Sequence, residues 1–261
     1  MKLTLRQRAL EALALTLPEE KIRLLEQWVD DLPIGADCVI SSPPGLPGRP
    51  ARPPLVPPSR VKARSVGTVQ GRAALIHSLA HIEFNAINLA LDILWRFPGM
   101  PDAFYHDWLK VAREEALHFS LLATHLASLG YSYGDFPAHD GLWEMAERTS
   151  ADLLARLALV PRTLEARGLD ASPVVRDKLV SVGDAAGAAI IDIILRDEIG
   201  HVAIGNHWYR HVCQMRGLDP EVAYDDLALQ YRAPRLRGPF NLQARRQAGF
   251  TEAELDALQS S

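Results

Sequence analysis

The residues of this 261-residue sequence best placed to do chemistry are glutamates set on apolar helix faces, two of them followed three positions later by histidine. Glu83 has Ile76, Leu79, Ala80, Ala86, Ile87 and Ala90 at the positions three, four and seven away, so a helix there turns its carboxylate toward a core. Glu115 is framed in the same way by Trp108, Val111, Ala112, Phe119 and Leu122, with His118 next on the same face. Glu198 sits among Ile191, Ile194, Leu195 and Val202, with His201 three residues on. An i, i+3 carboxylate and imidazole stand side by side on a helix, where one metal ion can take oxygen and nitrogen from a single element. An unpaired buried carboxylate is costly, and a cation removes that cost.

The spacing alone is a modest signal, since 14 glutamates and 9 histidines in this length give roughly half of one Glu-x-x-His pair by chance. The register adds more. Glu83 precedes Glu115 by 32 residues, and Glu165 precedes Glu198 by 33, a two-fold repeat of Glu followed by Glu-x-x-His. Six ligands in that order suit two metal ions. Glu114 and Asp197 directly precede the two Glu-x-x-His glutamates. They are candidates either to accept a hydrogen bond from the free ring nitrogen of a ligand histidine or to be solvated helix-surface acids. Glu165 lies on a less apolar face, with Leu154, Ala158, Pro161, Arg162 and Leu169, and its alternative role is a surface ion pair with Arg162. Glu144, the rival on that segment, has the polar neighbours Asp140, Glu147 and Arg148. Pro161, one turn before Glu165, cannot donate to the carbonyl of Leu157, so a kink is expected there.

The elements that must position these groups read as helices throughout. Residues 68–97, 102–129, 140–167 and 184–216 carry apolar residues at helical spacing, each ~40 Å or longer at ~1.5 Å per residue. Pro98 and Pro101 bracket the first connection, Gly130 follows the second segment, Asp140 can cap the third, and Gly183-Asp184 opens the fourth. Residues 168–183 are expected to be a connection holding an additional helical turn. The fold class is all-α: a four-helix bundle over 67–216, an N-terminal helical hairpin over 1–32 broken at Pro18, a Pro-rich linker or wrapping arm over 33–66, and a C-terminal arm with short helices over 217–261. The linker holds 9 of the 18 prolines, too many for helix or central strand. A terminal helix is expected after Thr251, with Glu254 at capping-box spacing.

With 28 basic and 32 acidic side chains the formal charge is −4, which gives no bulk attraction to polyanions. Cys38 and Cys213 lack metal-ligand spacing and suit free thiols in a reducing compartment. No run is apolar enough for a membrane span or signal peptide, and a cytoplasmic location is expected. Phosphate-cradling, dinucleotide-binding and nucleophile-elbow motifs are absent. His77, His81, His106, His125, His139, His207 and His211 lack a partner at ligand spacing and read as surface or satisfied core histidines. Residues 231–247 carry five arginines and no acid. They are expected to dock on the bundle by pairing with acidic helix faces, with local phosphate or RNA contact as the alternative.

The phrases HIEFNAINLALD, VAREEALHFSLL, YGDFPAHDGLWEMA, LVPRTLEARGLD, DEIGHVAIG and RGPFNLQARRQAGF resemble an uncharacterised bacterial family within the ferritin-like di-iron carboxylate superfamily, over roughly residues 65–250. The resemblance implies that Glu83, Glu115, His118, Glu165, Glu198 and His201 are metal ligands. The implied cofactor is two metal ions, iron first, with manganese or a mixed iron–manganese pair as alternatives. That family is similar to the di-iron hydroxylase acting on a modified adenosine of transfer RNA. The implied function is an oxidoreductase of hydroxylase or oxygenase type that activates O2 or peroxide. Its expected partners are an electron donor, a substrate that is a small molecule or a modified RNA base, and a second copy in a homodimer, with no membrane. An iron-handling or peroxide-scavenging protein and a non-enzymatic helical interaction module are the alternatives.

Overall fold

The computed structural model describes residues 3–29, 32–62 and 64–260, and among these there are helices and no strand beyond one isolated bridge, Leu55 with Ala138. The all-α class is therefore as expected. The predicted end of the N-terminal hairpin at residues 30–31 lies outside the described residues. The chain divides into two compact units, Met1–Gly141 and Leu142–Ser261.

The first unit is built on a long helical hairpin, α3 (Val69–Arg96) and α4 (Asp102–Ser128). Thr68 starts α3 by accepting from the Gly71 amide at 3.0 Å. Only glycine serves at 71, because a Cβ there would lie 1.7 Å from the Ser65 carbonyl oxygen. The hairpin turns through Pro98-Gly99, with Gly99 at φ +80°, and Tyr105 locks it by donating to the Phe97 carbonyl at 2.9 Å. Two short helices, α1 (Leu5–Ala14) and α2 (Pro18–Gln27), pack on this pair. The buried Lys21 ammonium donates to the carbonyls of Ala12 and Leu13 and so closes the C-terminal end of α1.

The Pro-rich segment is a wrapping arm. Arg6, fully buried, donates to the Gly35 and Ala36 carbonyls at 3.0 and 3.1 Å and to the Trp95 carbonyl of α3 at 2.6 Å. Farther along, the Val56 amide donates to the Ala138 carbonyl and Arg49 pairs with Asp140. Backbone groups that proline cannot satisfy locally are met by partners distant in sequence.

The second unit departs from the expected single helix over 140–167. The chain forms α5 (Gly141–Arg148), breaks, and resumes as α6 (Leu153–Leu159), then a π-helical stretch (Val160–Glu165), then α7 (Ala166–Ser181). The break has a local cause. Thr149 turns its hydroxyl back on the Met145 carbonyl at 2.8 Å, and Asp152 caps α6 by accepting from the Leu154 amide at 3.0 Å. Residues 168–181, expected to be connection, are helix despite Pro173. Proline there removes the donor that the Leu169 carbonyl needs, and the Asn241 side-chain amide supplies one at 3.2 Å. A tight turn with Gly183 at φ +78° leads into α8 (Ala185–Arg216), which Asp184 caps and Gly217 ends in left-handed conformation.

After α8 come α9 (Pro220–Gln230), α10 (Leu242–Gln247) and α11 (Glu252–Ser260). The Arg-rich segment docks within this unit: Arg245 is fully buried and pairs with Asp170 of α7 at 2.6 Å. Arg246 pairs with Glu252 instead. Thr251 and Glu254 form the expected capping box, each accepting from the other's backbone amide.

Candidate metal centre

In the first unit the turn at Gly99 sets the register of the candidate ligands. Glu83 lies 16 residues before it and Glu115 16 residues after, so antiparallel helices bring the two to the same level. Both carboxylates are buried, as is the His118 ring. His118 Nδ1 lies 3.3 Å from Glu83 Oε2 and 3.4 Å from Glu115 Oε2. One donor atom from each of the three residues falls within 4.8 Å of the others.

The electrostatics of this trio are those of a cation site. Burial pushes the Glu83 carboxyl well above the usual carboxylate range, the adjacent Glu115 charge pushes it further, and His118 acts against both. For His118, burial favours the neutral ring, but the two carboxylates outweigh it and push its pKa up to about 11. The imidazole proton thus does for the carboxylates what a metal ion would do, and a metal must displace it to bind. Two oxygen-donor residues and one imidazole, converging and buried, could hold a metal ion.

In the second unit Glu198 and His201 stand on α8, both buried, with His201 Nδ1 3.6 Å from Glu198 Oε1. Glu165, half-buried, is the last residue of the π stretch. Gly183 is 18 residues from both Glu165 and His201 and 22 from both Pro161 and Gly205. The second of these reflected pairs is in close approach, since a Cβ on Gly205 would lie 2.6 Å from Pro161 Cβ. The first pair therefore shares a level on the same helical hairpin.

The kink expected at Pro161 takes the form of this π stretch, and Thr163 steadies it by donating its hydroxyl to the Ala158 carbonyl at 2.8 Å. The alternative of an Arg162–Glu165 surface pair is not what Arg162 does. Its guanidinium is 3% exposed and donates to Asn206 at 2.7 Å and to Glu254. Glu144 is exposed on α5. Of the two acids preceding the Glu-x-x-His glutamates, Glu114 meets Lys110 at 3.2 Å and Asp197 accepts from Arg196 at 2.8 Å.

Two features escaped the reading of the sequence. His81, without a partner at ligand spacing, is a buried core histidine. Its ring meets the Tyr133 hydroxyl at 2.8 Å, the His139 carbonyl at 3.1 Å and the Asn85 amide at 3.1 Å, a polar cluster not foreseen. Asn88 is fully buried with neither amide atom hydrogen-bonded among the described residues. Asparagines inside an otherwise apolar helix run were the available signal for both.

No helix among the described residues is long and apolar enough to cross a membrane. A family model described as a protein of unknown function (DUF455) matches residues 14–256. An "Uncharacterized protein" of Haemophilus influenzae (strain ATCC 51907 / DSM 11121 / KW20 / Rd) is 49% identical over 259 residues, covering 94% of this chain and 90% of that protein. No solved structure matches the chain.

Proposed function

The chain belongs to the DUF455 family, and from that premise we propose that it is a non-haem dinuclear metal protein of the ferritin-like carboxylate class, an oxidoreductase that activates O2 or peroxide. The observation carrying this reading is the convergence of the buried Glu83, Glu115 and His118 donor atoms within 4.8 Å. The repeated register supplies the second set, Glu165 with Glu198 and His201. The six residues hold two metal ions, iron first and manganese or a mixed pair as alternatives. Bound iron or manganese would supply one-electron redox chemistry toward O2 or peroxide.

The residues of the chain have distinct tasks in this scheme. The carboxylates of Glu83, Glu115, Glu165 and Glu198 neutralise charge and supply oxygen donors, while His118 and His201 act as neutral imidazoles. His118 must first give up its proton, so loading releases protons and is favoured as pH rises. Burial of Glu83, Glu115 and His118 excludes water from their side of the site. Glu165 closes the π stretch, where the regular i to i−4 hydrogen-bond ladder of the helix is interrupted. Glu114 and Asp197 are proposed to steady the ligand histidines. The remaining partners, an electron donor and a small-molecule or modified-base substrate, are part of the proposal.

The test is to load the protein with ferrous iron under anaerobic conditions and admit O2 while recording its consumption and the optical spectrum. The expected result is stoichiometric O2 uptake with a new near-ultraviolet absorption. Iron-loaded protein that leaves O2 untouched would reject the oxidoreductase reading.

A further inference from the structure

The Arg-rich segment docks through Arg245 but leaves other cations facing outward. Arg237 is exposed, as are Arg167 and Lys178 on α7, and none of these three side chains has an ion pair or hydrogen bond among the described residues. All three, with Arg235, border a groove of about 370 Å3 between the segment and α7. The one acid of that groove, Asp170, is already met by the buried Arg245 at 2.6 Å. Asp177, the other acid of α7, meets Arg176 at 3.5 Å. A second groove, of about 540 Å3, shares Arg235, Arg237 and Phe240 with the first, and no acid borders it. In a chain of formal charge −4 this is a local positive field open to solvent, and such a field draws anionic partners.

We propose that these two grooves bind a single-stranded nucleic acid, with phosphates on Arg167, Lys178 and Arg237 and a base on the Phe240 ring. Arg167 and Lys178 stand 11 residues apart on one face of α7, ~16 Å along its axis. A stacked strand covers that length with about five nucleotides, at roughly 3.4 Å each. Apart from the neutralised Asp170, the groove wall between the two cations is apolar, with Ala171, Val174 and Val175. Cations that track a backbone, interleaved with a ring and apolar surface for the bases, are the two parts of a sequence-tolerant single-strand site. Guanidinium groups also take phosphate oxygens in pairs. An acidic peptide would use the cations and gain little from the ring. None of these residues is a candidate metal ligand, and binding here is independent of the redox reading.

Fluorescence anisotropy of a labelled uridylate RNA of about 12 nucleotides, titrated with the 261-residue protein in metal-free buffer, tests the site, with a glutamate peptide of about the same length as a parallel arm. Saturable binding of the RNA is expected, at least about tenfold tighter than that of the peptide. Three phosphate contacts predict that it weakens about 20-fold between roughly 50 and 200 mM salt. Lys178→Gln with Arg237→Gln is expected to weaken RNA binding about tenfold. Arg60→Gln with Lys62→Gln removes the same charge from exposed positions of the first unit, and is expected to change it by less than about twofold. Phe240→Leu keeps an apolar side chain and is expected to weaken binding about fivefold or more, through loss of stacking. Absence of RNA binding overturns the proposal. So does peptide binding as tight as that of the RNA, an equal loss in the two double variants, or unchanged binding in Phe240→Leu.

Discussion

The two units carry the same pattern of candidate ligands on different backbones. In the first, Glu83 stands inside an uninterrupted 28-residue helix, and its level is set by a hairpin turn alone. In the second, the corresponding Glu165 closes a π stretch whose neighbours Arg162 and Thr163 are held by Asn206, Glu254 and Tyr224. A repeated register of residue types therefore does not require a repeated geometry. One half fixes its first glutamate by regular hydrogen bonding, and the other by side chains that substitute for it.

The largest effect is expected on removing one glutamate from each half. The Glu115→Ala, Glu198→Ala double variant is expected to fall from two metals per chain to none by elemental analysis, and each single variant to lose at least one. A double variant with full metal content would show that neither half binds as described. The halves are then told apart by their first glutamates. Glu83→Ala is expected to lose metal, whereas Glu165→Ala is expected to lose metal or O2 reactivity. Parental behaviour in Glu165→Ala would move the ligand role elsewhere.

Stability separates the units next. Arg245→Ala leaves Asp170 without its buried partner and is expected to cost about 3 kcal/mol in chemical denaturation. Gly205→Ala presses a methyl group against Pro161 and is expected to cost about 1–3 kcal/mol. A neutral Gly205→Ala would mean that the π stretch yields easily. Pro161→Ala is expected to keep both metals while changing the rate of reaction with O2, since it restores a backbone donor one turn before Glu165.

An effect confined to acid pH concerns protons in the first unit. Burial pulls both His77 and His81 down from the ordinary 6.5 to about 4, so the folded state holds them neutral while the unfolded state takes up protons. Their contribution to stability is complete above about 6.5 and is lost as pH falls toward 4. Replacing both with glutamine is expected to flatten the fall in melting temperature over that window. An unchanged acid slope would show that these rings do not stay neutral in the fold.

Much of this was legible in the sequence, for reasons that differ by residue. Glu83, Glu115 and His118 could be read because carboxylates and imidazole at helical spacing within apolar faces have few other uses. The helix limits in the first unit followed from Pro98, Pro101 and Gly130. The second unit was harder, because its decisive partners are far away in sequence. Pro173 reads as a helix breaker until Asn241 supplies the missing donor, and Arg162 reads as a surface cation until Asn206 and Glu254 are brought to it. The break at Thr149–Asp152 carried a local signal, a threonine and an aspartate suited to end one helix and cap the next. It was outweighed by the apolar periodicity running across it.

The most direct test is the metal content of the freshly purified 261-residue protein, measured by elemental analysis against protein concentration. Two equivalents of iron, or of iron and manganese together, are expected per chain, with loss of both in the Glu115→Ala, Glu198→Ala variant. Protein that remains metal-free after anaerobic incubation with ferrous and manganous salts would contradict a dinuclear metal site in this chain.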